Sequence, residues 1–195
     1  MRAKYTLLLV ALLFGLSLTA QGNTEVFKTS SDINRTGMMF LGGWALANFA
    51  YGGYEWGTNS GSRKYFGQMN VMWNIVNVSI AGFALYQNYT TDFSLLTPEA
   101  MHSKHNQTTN LYLINAGLDI LYAAGGWYMI HAASKRNKYS DLLKGYGNSV
   151  ILQASFLFAF DMIMFFTQKN ISPNFNIPLH SFAVSPNELT FILTS

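Results

Sequence analysis

Four long apolar stretches, at about 36–56, 65–87, 108–133 and 148–168, leave this chain few ways to fold. Each holds roughly 20 residues or more, enough to carry a helix across a bilayer. Only 11% of the 195 residues are charged, against about 25% in a soluble domain, so a water-facing surface around four such helices would be hard to build. The pattern predicts an all-α membrane protein, an antiparallel bundle of four transmembrane helices over 36–168.

Residues 1–21 match a secretory signal peptide. Arg2 and Lys4 form a basic start, 5–18 an apolar run too short for comfortable spanning, and Leu18-Thr19-Ala20 a cleavage site before Gln21. An uncleaved anchor is the alternative. Residues 22–35 would then be an exterior segment, and both termini of the mature chain would lie outside. The two inner loops, 57–64 and 134–147, would hold Arg63, Lys64, Lys135, Arg136, Lys138 and Lys144, against Lys28, Arg35, Lys104 and Lys169 outside. That bias has the direction of the positive-inside rule. It predicts the bacterial inner membrane with periplasmic termini.

Thr97-Pro98-Glu99 reads as a helix start with Thr97 as N-cap, so the third helix is expected to stand above the membrane from Pro98. The tail 169–195 carries Pro173, Pro178 and Pro186 and a β-hairpin pattern around 185–188; a tail without regular structure is the alternative. The absence of cysteine excludes disulfides and thiolate chemistry. The net charge of +3, spread over loops, suits lipid headgroups and not nucleic acid.

The halves resemble one another. Ala50-Tyr51-Gly52-Gly53-Tyr54 matches Ala123-Ala124-Gly125-Gly126-Trp127, and Phe66-Gly67-Gln68 matches Tyr146-Gly147-Asn148. Two repeated helical hairpins of equal orientation are one reading; chance recurrence of glycine and aromatics is the other.

The sharpest chemical signal is polar. The second helix carries Gly67, Asn70, Asn74, Asn77, Ala81, Ala84 and Asn88 at helical spacing, a stripe of small residues and amides suited to a helix–helix seam. Asn48 on the first helix, Asn115 and Asp119 on the third, and Gln153 and Asp161 on the fourth are candidate partners. Asn48, Asn70, Asn74, Asn77, Asn115, Asp119 and Asp161 are therefore expected to form a buried polar layer. No Lys or Arg lies within a span, so one of the two acids is expected to keep its proton or to bind a cation. His105, Tyr112 and Asp119, seven apart on one face, form a candidate entry line. His102 and His105 are weak metal candidates, since three or four convergent ligands are normally required. No catalytic motif and no cofactor site is present.

The stretch Met69-Asn70-Val71-Met72-Trp73-Asn74-Ile75-Val76-Asn77, together with Asn115-Ala116-Gly117-Leu118-Asp119, resembles an uncharacterised family of small four-helix membrane proteins from Bacteroidota. The resemblance implies a topology and assigns no activity. Three functions remain, in this order: a structural or accessory membrane component that binds other membrane proteins or its own copies; a small proton- or cation-coupled carrier or channel using Asp119 and Asp161; and a membrane enzyme acting on lipid or quinone.

Overall fold

The computed structural model describes residues 2–135 and 137–171, with side chains over 24–171 apart from 136 and 137. Among the described residues it holds four long helices: α1 (Arg2–Thr58), α2 (Gly61–Thr90), α3 (Pro98–Ala133) and α4 (Ser140–Lys169). Short 3-10 turns at Phe93–Leu95 and Asn137–Tyr139 precede α3 and α4. The expected β-hairpin in the tail lies outside the described residues, apart from the turn that closes α4.

Helix α1 differs from expectation in length. It runs unbroken through 22–35, where a separate segment was expected, and continues N-terminally to Arg2. The reason is local: no proline or glycine interrupts 24–36, and Phe27, Ser30, Gly37, Met38, Leu41, Ala45 and Asn48 extend one buried stripe at helical spacing. The start of α3 is as expected. Thr97 Oγ1 accepts a hydrogen bond from the Ala100 N–H at 3.2 Å, with Pro98 at the first helical position.

The helices lie in the order α1–α2–α4–α3, with extensive packing between α1 and α2, α2 and α4, and α4 and α3. Glycines set the closest crossings. A Cβ on Gly52 would lie 2.8 Å from the Gly67 carbonyl, and a Cβ on Gly67 would lie 2.5 Å from the Gly52 carbonyl. Gly126 and Gly147 repeat the arrangement at 2.8 and 2.6 Å. The two hairpins thus use one packing device, and the central α2–α4 pair joins them. The sequence match is off by one position: hairpin one uses the first glycine of its Gly-Gly step, and hairpin two the second.

Two helices, α2 and α4, are long and apolar enough to cross a membrane. The described parts of α1 and α3 do not reach the same mean hydropathy, because Asn, Gly, Tyr and Trp take up many of their positions. Large apolar side chains nevertheless cover the outside of all four: Phe40 and Leu46, Ile75 and Phe83, Ile114 and Leu121, Ile163 and Phe166 are all more than half exposed.

Candidate functional site

The buried polar side chains of the bundle fall into two groups. The first part is an amide network joining α1, α2 and α4. Asn70 is fully buried. Its Nδ2 donates to the Asn48 carbonyl at 2.9 Å and to Asn48 Oδ1 at 3.2 Å. Its Oδ1 accepts from Gln153 Nε2. Gln153 Oε1 in turn accepts from Trp44 Nε1 at 3.1 Å. Asn74 Nδ2 donates to the Asn70 carbonyl at 2.7 Å, and Asn77 Nδ2 to Asn74 Oδ1 at 3.3 Å. A buried amide is tolerated only when its donors and acceptors are used, and Asn70 meets that condition on both sides.

The second part is the acid pair. Asp119 on α3 and Asp161 on α4 are buried and face one another at hydrogen-bonding range. They line a chamber of about 190 Å³ together with Asn77, Tyr112, Asn115, Trp73 and Tyr122. Two ionised carboxylates offer each other no donor, and Asp119 Oδ2 has no hydrogen-bond partner among the described residues. One shared proton, or one small cation, completes such a pair. Residues of all four helices line the chamber, and Val76 and Ile80 of α2 and Leu118 of α3 on its wall are exposed. Asn77 touches both parts, bonding Asn74 and lining the chamber.

Asn115 departs from expectation. It is exposed, at the rim of the chamber and not buried in the layer. The buried face of α3 carries Tyr112, Ala116 and Asp119, and Asn115 lies off that face. Asn148 and Ser155 are likewise exposed, while Ser149 and Gln168 are buried.

The hairpin symmetry isolates the acids. Asp119 precedes Gly126 by the same number of residues as Ala45 precedes Gly52. Asp161 follows Gly147 by the same number as Ala81 follows Gly67. Ala45 and Ala81 are buried, and a Cβ on Gly42 would be 3.7 Å from the Ala81 methyl. The first hairpin closes this level with small residues; the second places two carboxyls there.

His105, Tyr112 and Asp119 are all buried on α3, with Tyr112 between the other two. At the end carrying the α2–α3 loop, a pocket of about 460 Å³ is lined by Ser30, Ser31, Asn34, Asn88, Lys104 and His105, among others. Tyr112, on the chamber wall, donates to Asn34 Oδ1 on the pocket wall. That bond stands between the two spaces. The buried His105 has a fixed tautomer. Ser30 Oγ gives its one hydrogen to Gln168 Oε1 at 2.7 Å, and Gln168 Nε2 donates to the Ser30 carbonyl at 2.9 Å. His105 Nδ1, 2.8 Å from Ser30 Oγ, must therefore be the donor, which leaves Nε2 as the basic atom of the ring. Burial, and then the neighbouring His102, hold this imidazole below its usual range. His102 Nε2 bonds Asn106 Nδ2 at 2.9 Å; among the described residues no group of three potential ligands converges on either histidine.

One buried acid finds a cation that span composition does not reveal. Glu55, near the end of α1, is 2% exposed and receives two bonds from Arg63, Nε at 2.9 Å and Nη2 at 2.6 Å. The eight-residue separation across the α1–α2 turn is the signal. Gly61, at φ +57, takes the left-handed conformation in that turn.

Comparisons agree with a chain of unassigned activity. No curated protein and no solved structure matches it. A family model does match, over residues 40–162, a stretch that contains the whole amide network, both acids and all four crossing glycines. On that match, covering well over half its length, the chain belongs to the family of unknown function DUF6992.

Proposed function

We propose that this is a four-span membrane protein, with both termini of the mature chain outside the bacterial inner membrane, whose Asp119–Asp161 pair binds and releases a proton or a small cation. The apolar outer faces of all four helices support the spanning reading, as does the excess of basic residues in the 57–64 and 134–147 loops. Signal-peptide removal from 1–21 and an origin in Bacteroidota belong to the same reading.

One observation carries the site assignment: the first hairpin packs the equivalent level with Ala45 and Ala81. The fold therefore has a way to close this position without acids, and two unpaired carboxyls in low dielectric are costly to keep for packing alone. Exchange with the outside would run from His105 Nε2 past the Tyr112–Asn34 bond to Asp119.

The test is flux through vesicles holding purified protein. Wild type is expected to dissipate a proton or sodium gradient, and the Asp119→Ala/Asp161→Ala variant to abolish flux while keeping its helicity and Tm. Flux unchanged in that variant contradicts the assignment.

The second reading is a structural or accessory component, supported by the closed amide network at Asn70 and Gln153. It expects no flux from either protein and predicts an associated membrane partner or self-association.

A further inference from the structure

A second site lies on the opposite flank from the acid chamber. The backbones of α1 and α4 stay apart and meet through side chains, and between them runs a groove of about 730 Å³. Its polarity is graded. Thr29, Asp32 and Thr36 line its outer end, and Phe40, Phe156 and Ile163 line the rest. From Thr29 to Phe40 the wall is roughly 16 Å long at the helical rise. The inner end is closed by stacked rings: Trp44 on Phe156 at 3.8 Å and 5°, and Phe40 on Phe156 at 6.0 Å. The charge at the mouth is dipolar, since Asp32 is ion-paired with Arg35 at 3.1 Å.

A polar mouth above an apolar floor is the profile of one leaflet of a bilayer. The groove thus suits an amphiphile entering sideways. The mouth selects among headgroups, because an acid lines the groove and its basic partner stands behind it. Asp32 thus offers a charged acceptor to an ammonium at the mouth, with Arg35 bonded to it outside the groove lining. We propose that the α1–α4 groove binds one amine-bearing phospholipid, with an acyl chain along Phe40 and Phe156 and its headgroup on the Asp32–Arg35 pair. The inference rests on the membrane reading and is independent of the acid pair's role. The sites still share a wall: Phe160 lines both the groove and the chamber and meets the Tyr112 ring edge-on at 6.2 Å.

Native mass spectrometry of the full chain in detergent, with added dioleoylphosphatidylethanolamine or dioleoylphosphatidylglycerol, tests this. Wild type is expected to hold one phosphatidylethanolamine in preference to phosphatidylglycerol. Ala159→Trp, which fills the groove from an exposed position on its wall, should lower that binding at least ten-fold. Ile120→Trp, on an exposed site outside the groove and the chamber, should leave it unchanged. Asp32→Asn should remove the headgroup preference and decides the matter if Ala159→Trp does not fold. Equal binding by wild type and Ala159→Trp, or equal retention of both lipids by wild type, overturns the proposal. Recovery of the protein from membranes by aqueous washing would instead overturn the membrane reading beneath it.

Discussion

Gln153 donates its side-chain N–H to Asn70 Oδ1 across the α2–α4 seam, and this bond ties one helical hairpin to the other. Both residues are fully buried. Amide bonds inside membrane bundles average about 0.6 kcal/mol, while stranding a buried polar group costs about 1–3 kcal/mol. Asn70→Leu, which removes the side-chain partner of Asn48 and Gln153 together, is expected to destabilise the bundle by about 2 kcal/mol. A double-mutant cycle of Asn70→Ala with Gln153→Ala, read by unfolding in denaturing detergent, should give a favourable coupling. Zero coupling would mean that the amides are independently solvated.

Within each Gly-Gly step only one glycine is structural. Gly126→Val should cost about 1–3 kcal/mol through overpacking, since its Cβ would meet the Gly147 carbonyl at 2.8 Å and Ile151 Cγ1 at 2.9 Å. Gly53→Ala and Gly125→Ala should be neutral, because nothing lies within 4 Å of either new methyl. Thermal stability in detergent checks the contrast, and equal losses at Gly125 and Gly126 would refute it.

Acidification should act through His105. Its imidazole is held below the usual range by burial and then by His102, whereas the unfolded chain titrates near 6.5. Between the folded value and 6.5 the unfolded chain binds more protons, so stability is full above about 6.5 and falls as pH drops below it. Wild type is expected to lose Tm in that window relative to His105→Gln. Parallel curves would show that the ring does not titrate with folding.

Arg63 is largely exposed, yet it is the partner of the buried Glu55. Arg63→Ala should lower Tm, because it removes the cation from a carboxylate left with the neutral donors Asn59 and Tyr51. Adding Glu55→Gln should restore most of the loss. Failure of that rescue would place the role of Arg63 elsewhere.

Much of this architecture was legible in residue spacing. The stripe from Gly67 to Ala81 predicted which face of α2 is buried, and Met72, Ile75, Val76 and Phe83 are exposed as that reading requires. The glycine motifs marked the hairpin crossings to within one residue. Periodicity could not decide the position of Asn115, which lies near the Asp119 face but is buried only if α2 closes on α3; it does not. The length of α1 was missed because a search for apolar runs stops at Thr36, although the buried stripe reaches back to Phe27. Glu55 lies inside the first apolar stretch, but its cation, Arg63, lies beyond the span boundary. The groove between α1 and α4 depends on how far two non-sequential helices splay, and no local pattern encodes that.

The most direct test is infrared spectroscopy of the carboxyl groups in lipid-embedded protein at neutral pH. The account predicts a carboxylic-acid C=O band, or a carboxylate band that responds to one added cation. It should disappear in Asp119→Asn/Asp161→Asn while the amide bands of the helices remain. Wild type with neither signal, or a signal that survives in the double variant, would contradict the acid pair as a binding site.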